Sequence, residues 1–229
     1  MRVHAALADP HRLRIVDLLA LTDLTPSQLA DALGIGSNLV AHHLGILEEA
    51  ALVERLRSAG DGRRRYLRLT EPALSLTTGD GPTLSAGSVL FVCTGNSARS
   101  QLAEALWTRA SDVPARSAGT HPAAAVHPLA VKAGARAGLD LTRARPRALE
   151  DLRDAPGLVV TVCDRAHEEL PPDTSGSVPV LHWSIPDPRE AGRATAFDDS
   201  VRELGRRIGR LAPHVAAPTR PRPPRRTHP

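Results

Sequence analysis

Aromatic side chains are nearly absent from this chain: two Phe, two Trp and one Tyr make up 2% of 229 residues. Its cores must therefore be filled by Leu, Val, Ala and Ile. Cysteine occurs only at Cys93 and Cys163, which excludes a disulfide scaffold and leaves two thiols expected to be reduced at rest. Lysine occurs once, at Lys132, a bias toward Arg to which no chemical role is given. No apolar run is long enough to span a bilayer, and Arg12 and Arg14 follow only a short Ala-rich opening, so neither membrane span nor signal peptide is expected. A cytoplasmic protein is the expectation.

A net charge of +4 suggests a nucleic-acid partner until the charges are located. Residues 1–78 hold nine basic and nine acidic residues, residues 79–212 sixteen of each, and residues 213–229 four Arg and no acid. The whole excess lies in that last stretch, rich in Pro, which cannot pack a core and is expected to be a disordered tail. A DNA contact must come from local pattern instead.

Thr77 to Ser88, rich in Gly, Ser, Thr and Pro, separates two patterns. We expect a DNA-binding unit over 1–76, a linker over 77–87, a second unit over 88–212 and the tail over 213–229. Before the linker, Asp9 and Pro10 start a helix with Leu13, Ile15, Val16, Leu18 and Leu19 at helical spacing. Thr25, Pro26 and Gln28 read as N-cap, N1 proline and capping-box partner of a second helix that stops at Gly34. A third helix from Ser37 turns Val40, Leu44, Leu47 and Leu52 inward. Alternation around Gly60-Asp61-Gly62, with Val53, Leu56, Tyr66, Leu67 and Leu69, predicts a hairpin. Helix, turn, helix and basic hairpin in that order predict a mostly α winged helix-turn-helix.

Through "ALADPHRLRIVDLL", "PSQLADALGI", "VAHHLGILEEAALV" and "GRRRYLRL" this half resembles the ArsR/SmtB winged-helix repressors. The resemblance implies a homodimer on a double-stranded DNA operator. It places Ser37, Asn38, Leu39, Ala41, His42 and His43 toward the major groove, and Arg63, Arg64 and Arg65 on phosphate or in the minor groove. The Arg run also reads as a solvated hairpin face. Paired histidines also read as metal ligands, but no further cluster stands near them in sequence, and no metal site is expected. Members that sense arsenite carry paired cysteines here. This half has none.

After the linker, "SVLFV", "CTGNSARS" and "QLAEALWTRAS" read strand, loop, helix, opening an α/β unit with a parallel sheet and flanking helices. Cys93 and Arg99 are spaced C-x5-R at a helix N-terminus, where backbone N–H groups of Thr94, Gly95, Asn96, Ser97 and Ala98 can converge on an oxyanion. Such a setting lowers a thiol pKa by several units. Cys93 then reads as a nucleophile, Arg99 as a bidentate clamp, and Ser100 as a hydrogen-bond donor to the sulfur.

With "SAGTHPAAAVHPLAVKAGARAGLDLTRARPRAL", "LVVTVCDRAHEELP" and "LHWSIPDP", this half looks like the low-molecular-weight protein tyrosine phosphatase fold and its arsenate reductase branch. The resemblance makes Cys93 the nucleophile, Arg99 the oxyanion ligand, Asp187 the general acid, and Asn96 and Ser100 the residues that shape the loop. Cys163 falls where the reductases keep their resolving cysteine, though a buried structural Cys also occurs in this strand. Leu170 and Ala98 stand where further cysteines are found in relatives. Arg147 stands where some have an acidic potassium ligand, so no such ion is expected. No cofactor is expected to be bound; the electrons would come from thioredoxin, or from a small thiol with a glutaredoxin-like protein. Arg189 follows the Asp-Pro pair where phosphatases carry an aromatic residue, so an inorganic arsenate or phosphate oxyanion fits better than phosphotyrosine. Phosphatase activity, or a silent oxyanion or redox sensor, are the alternatives.

Overall fold

The computed structural model describes residues 2–75, 77, 83–170 and 178–218. Helices α1 (Arg2–Leu7), α2 (Pro10–Leu19), α3 (Pro26–Leu33) and α4 (Ser37–Glu49) lead into a hairpin of β1 (Val53–Arg57) and β2 (Arg65–Leu69), followed by α5 (Glu71–Leu74). The expected capping box is formed: the Thr25 side chain accepts from the Gln28 N–H, and the Gln28 side chain accepts from the Thr25 N–H. Gly34 ends α3 at φ 65, a left-handed position that costs glycine little. Ile15, Val16, Leu29, Val40, Leu44 and Leu47 make the core of this unit, while Leu13 of α2 is 49% exposed. The hairpin pairs in register from Val53↔Leu69 to Arg57↔Arg65.

The second unit runs β3 (Leu84–Ser85), β4 (Val89–Cys93), α6 (Arg99–Ala110), β5 (Ala115–Gly119), α7 (Pro128–Arg136), β6 (Leu158–Thr161), α8 (Asp164–Glu169), β7 (Val180–His182), α9 (Pro188–Ala191), α10 (Ala194–Leu211) and β8 (Val215–Ala216). Its main sheet has the order β5-β4-β6-β7, and every pairing is parallel. All five residues of β4 are buried, as a central parallel strand requires. The chain leaves β4 for β5 on one side and later returns to β6 on the other. Cys93 therefore ends its strand at the switch point, where open α/β sheets take ligands.

Two boundaries differ from expectation. Leu84–Ser85, inside the expected linker, pairs in parallel with Val215–Ala216, inside the expected tail, and Val215 is buried in the core. Short apolar pairs at the edge of a Pro-rich stretch, here Leu84 with Val215, were enough to order it. Residues 219–229, the rest of that tail, lie outside the described residues. No helix among the described residues is long and apolar enough to cross a membrane.

The two units are packed against each other through charge as well as shape. Asp23, after α2, accepts from the Ser184 N–H at 2.7 Å and pairs with Arg207 of α10 at 2.9 Å, the two side chains being 2% and 11% exposed. Thr22 bonds the His182 backbone, and the Trp183 indole N–H donates to the Leu21 carbonyl. Asp23→Asn leaves a buried guanidinium short of its counter-charge. We expect a loss of about 2 kcal/mol in urea unfolding, held to that size because Glu203 still pairs with Arg207.

Candidate functional site

Between Cys93 and Arg99 the chain makes a tight loop whose shape is imposed by Asn96. Asn96 has a left-handed φ of 44, which Asn tolerates better than most residues. Its amide donates to Ser100 Oγ and Ser117 Oγ, both at 2.8 Å, and its carbonyl accepts from Gln101 Nε2 and the Arg147 N–H. One buried side chain thus ties the loop to α6, β5 and the segment before β6. Gly119 closes the packing from below, since a Cβ there would lie 2.6 Å from the Thr94 carbonyl.

Cys93 Sγ lies 3.0 Å from Ser100 Oγ. Arg99 is buried at the first position of α6; it donates to the Ile185 carbonyl and to Asp187 Oδ2, each at 2.8 Å. Arg189 bonds the same carboxylate at 2.8 Å. Burial pushes the Asp187 carboxyl up, but hydrogen bonds from Arg189 and the charge of Arg99 outweigh it and hold it below the usual carboxylate range. In this state Asp187 is a carboxylate between two guanidinium groups.

Cys163 caps α8, accepting from the Ala166 N–H at 3.4 Å, and its sulfur lies 3.4 Å from Thr94 Oγ1 in the oxyanion loop. Burial first, and then the neighbouring Cys93, push its thiol pKa up. Both cysteines are free. A pocket of about 260 Å³ is lined by Thr94, Arg99, Cys163, Asp187 and Arg189, with Ala59 of the hairpin turn, Asp164, Arg165 and Glu190 completing its wall. Chemically the pocket offers a small anion the Cys163 thiol and the guanidinium groups of Arg99 and Arg189, with the Asp187 carboxylate between them, and it opens at the N-terminus of α6, at the end of the loop that begins at Cys93. Gly95, Ser97 and Ala98 are buried within the loop itself.

Beyond standing in place of an aromatic residue, Arg189 holds the Asp187 carboxylate. The signal for its role was present in its spacing, two residues after Asp187 at the start of α9, where a side chain can turn back on the helix cap. The Ala59 contact had no signal in the sequence, because it joins elements more than a hundred residues apart.

On α4, Ser37, Asn38, Leu39, Ala41 and His42 are exposed. His43 is not: at 5% exposure it is buried beside α2, which corrects its expected place toward the groove. On a helix His43 sits with Val40, Leu44 and Leu47 on the inner face, one residue around from His42. Arg63, Arg64 and Arg65 are exposed on the hairpin, with Arg64 3.7 Å from Asp61 and Arg65 donating to carbonyls of its own turn. The fold also brings Asp9 and His11 to His43, with one ligand atom of each within 4.8 Å of the others. Asp9 there already accepts from two backbone N–H groups, and Arg12 lies 4.0 Å from it, a fixed positive charge that opposes a cation. Burial lowers the His43 pKa and keeps the ring neutral.

Two family models match the chain. One, for a helix-turn-helix domain, covers residues 7–55. The other, low molecular weight phosphotyrosine protein phosphatase, covers residues 88–220. A curated arsenate reductase of Bacillus cereus is 37% identical over 130 residues, which is 55% of this chain and 93% of the relative. A solved arsenate reductase in its phosphate binding state superposes with a TM-score of 0.50 at 24% identity, over 56% of this chain and 98% of the other. The tyrosine phosphatase Wzb of Escherichia coli K30, in complex with sulphate, gives the same TM-score and identity over 56% and 97%. At that identity the two structures speak for the fold alone, and they do so equally for a reductase and a phosphatase.

Proposed function

The chain belongs to the low molecular weight phosphotyrosine protein phosphatase family, with a helix-turn-helix unit ahead of it, and on that premise we propose that it is a DNA-binding regulator joined to a thiol-dependent arsenate reductase. The observation that carries the reading is Cys163, a second thiol that shares a pocket wall with Thr94 and Arg99 of the Cys93 loop and lies 3.4 Å from the Thr94 hydroxyl. Ester hydrolysis has no use for it. Reduction of As(V) to As(III) needs two electrons, and two thiols supply them.

In this reading the loop N–H groups and Arg99 hold arsenate, and the Cys93 thiolate attacks arsenic as one oxygen departs as water. When the oxyanion takes over the Arg99 donors, Asp187 loses that counter-charge while remaining buried. Its pKa then rises toward the protonated form that a departing oxygen requires. Conversion of Cys93 into an S–As bond removes the influence that, after burial, raises the Cys163 pKa. The Cys163 thiolate then attacks the Cys93 sulfur, the S–As electron pair stays on arsenic, arsenite leaves, and a Cys93–Cys163 disulfide remains. An external reductant, thioredoxin or a small thiol with a glutaredoxin-like protein, resets the pair in the cytoplasm.

The exposed face of α4 and the hairpin arginines supply a DNA surface, and the family likeness of this unit favours a homodimer on a two-fold operator. Reaction without added reductant tests the enzyme half. We expect about one arsenite per chain and a protein lighter by two hydrogens, with the bond mapped to Cys93 and Cys163. Arsenite at less than a tenth of that yield, with both thiols still free, would sink the proposal.

A further inference from the structure

The hairpin turn of the helix-turn-helix unit sits directly on the helix that Cys163 caps. The Ala59 N–H donates to Asp164 Oδ2 at 2.7 Å, and the Asp61 N–H to Glu168 Oε2 at 2.6 Å. Ser58 Oγ and Tyr66 OH both donate to Glu168 Oε1, at 2.7 and 3.0 Å. The approach is as close as backbone allows. A Cβ on Gly60 would lie 2.9 Å from Arg165 Cα and would also strike the Glu168 carboxylate. Ala59 and Asp61 are themselves exposed, and their amides are held by these two carboxylates.

Asp164 follows Cys163 in the chain, and Ala59 and Cys163 line the same pocket. A disulfide demands an S–S distance near 2.05 Å with a defined torsion. The Cys163 sulfur is held by the Ala166 N–H and by Thr94, each at 3.4 Å, so bonding it to Cys93 re-aims a sulfur that both groups now engage. That movement pulls on the first turn of α8, the turn that carries the acceptor for Ala59.

We infer that the DNA-binding hairpin is docked on α8 as a redox-gated contact, closed while Cys93 and Cys163 are thiols and released when they join. The inference rests on the reductase reading for its natural oxidant, since arsenate takes up the two electrons and the external thiol returns them. A docked hairpin is already ordered for DNA. A released one must be ordered again at the moment of binding, so oxidation lowers affinity for duplex DNA. The regulator is then informed of the oxyanion by the enzyme's own turnover, in a chain whose DNA-binding half has no cysteine.

Amide hydrogen exchange at Ala59 and Asp61 in the full-length protein tests this, with an α6 amide such as that of Leu102 as internal reference. Three states are compared: reduced, treated with arsenate and no reductant, and treated with diamide, which joins neighbouring thiols whatever the enzyme's substrate. The disulfide form should exchange both amides at least about tenfold faster than the reduced form, with Leu102 unchanged. Reduced Gly60→Ala and Glu168→Gln should show the same acceleration, and both variants and the oxidised wild type should bind a mixed-sequence DNA duplex more weakly. If diamide forms the disulfide and opens the amides while arsenate does neither, the reductase reading falls and the gate stands. The gate is overturned if the disulfide forms with both amides still protected, if diamide forms no Cys93–Cys163 bond, or if DNA affinity is unchanged on oxidation.

Discussion

Cys93→Ser should abolish arsenite formation and aryl phosphate hydrolysis together, each by about four orders of magnitude or more, whereas Cys163→Ser should abolish arsenite formation alone. The asymmetry follows from where each sulfur acts. Both reactions begin with attack on a bound tetrahedral oxyanion, and a serine hydroxyl in the same loop has no comparable anionic form at neutral pH to deliver it. Ser100 lies 3.0 Å from the Cys93 sulfur, but a hydroxyl donor cannot substitute as a base. Cys163 acts only after the first bond has formed, so hydrolysis, in which water takes the second step, does not meet it. Arsenite counted with a small thiol and with thioredoxin, beside p-nitrophenol release from an aryl phosphate, separates the two. Undiminished arsenite from Cys163→Ser with either reductant would remove that residue from the mechanism. Loss of both activities in Cys163→Ser would make it a structural cap of α8 instead.

What the sequence made legible was what is local. The capping box at Thr25 and Gln28, the stop at Gly34 and the hairpin alternation each reside within a few residues, and each has the geometry expected of it; the Cys93-to-Arg99 spacing, equally local, puts the arginine at the first position of α6. His43 was misplaced because two histidines in a row on a helix face different ways, and only the packing of α2 against α4 decides which is inside. The ends of the linker and tail were misjudged for a related reason: Leu84 and Val215 are weak as single apolar residues and become a sheet edge only when paired. The seating of the hairpin beside Cys163 was beyond reach, because carboxylates on a short helix carry no mark of the backbone amides they will accept.

Acid should weaken this protein well before its carboxylates are titrated, and His167 is the reason. Its ring is stacked on His182 at 4.2 Å between centroids and bonded to Thr161 Oγ1 at 3.1 Å, and burial, with His182 beside it, pushes its pKa down to about 3 from 6.5. Asp164 pulls the other way but is itself engaged by His182 and the Ala59 N–H. Between those two values the unfolded chain binds a proton that the folded one refuses, so stability rises with pH across the window and is lost as pH falls from 6.5 toward 3. The slope is at most about 1.4 kcal/mol per pH unit, or roughly 4 kcal/mol by pH 3.5. Asp164, whose pKa is lowered although burial alone would raise it, adds its own loss only below its ordinary value of 3.8. Urea unfolding from pH 7 down to pH 4.5 should therefore show a steadily falling midpoint in the wild type and a much flatter one in His167→Gln. Equal slopes in the two proteins would mean that His167 titrates freely in the fold, and that the cluster beneath the hairpin is wet.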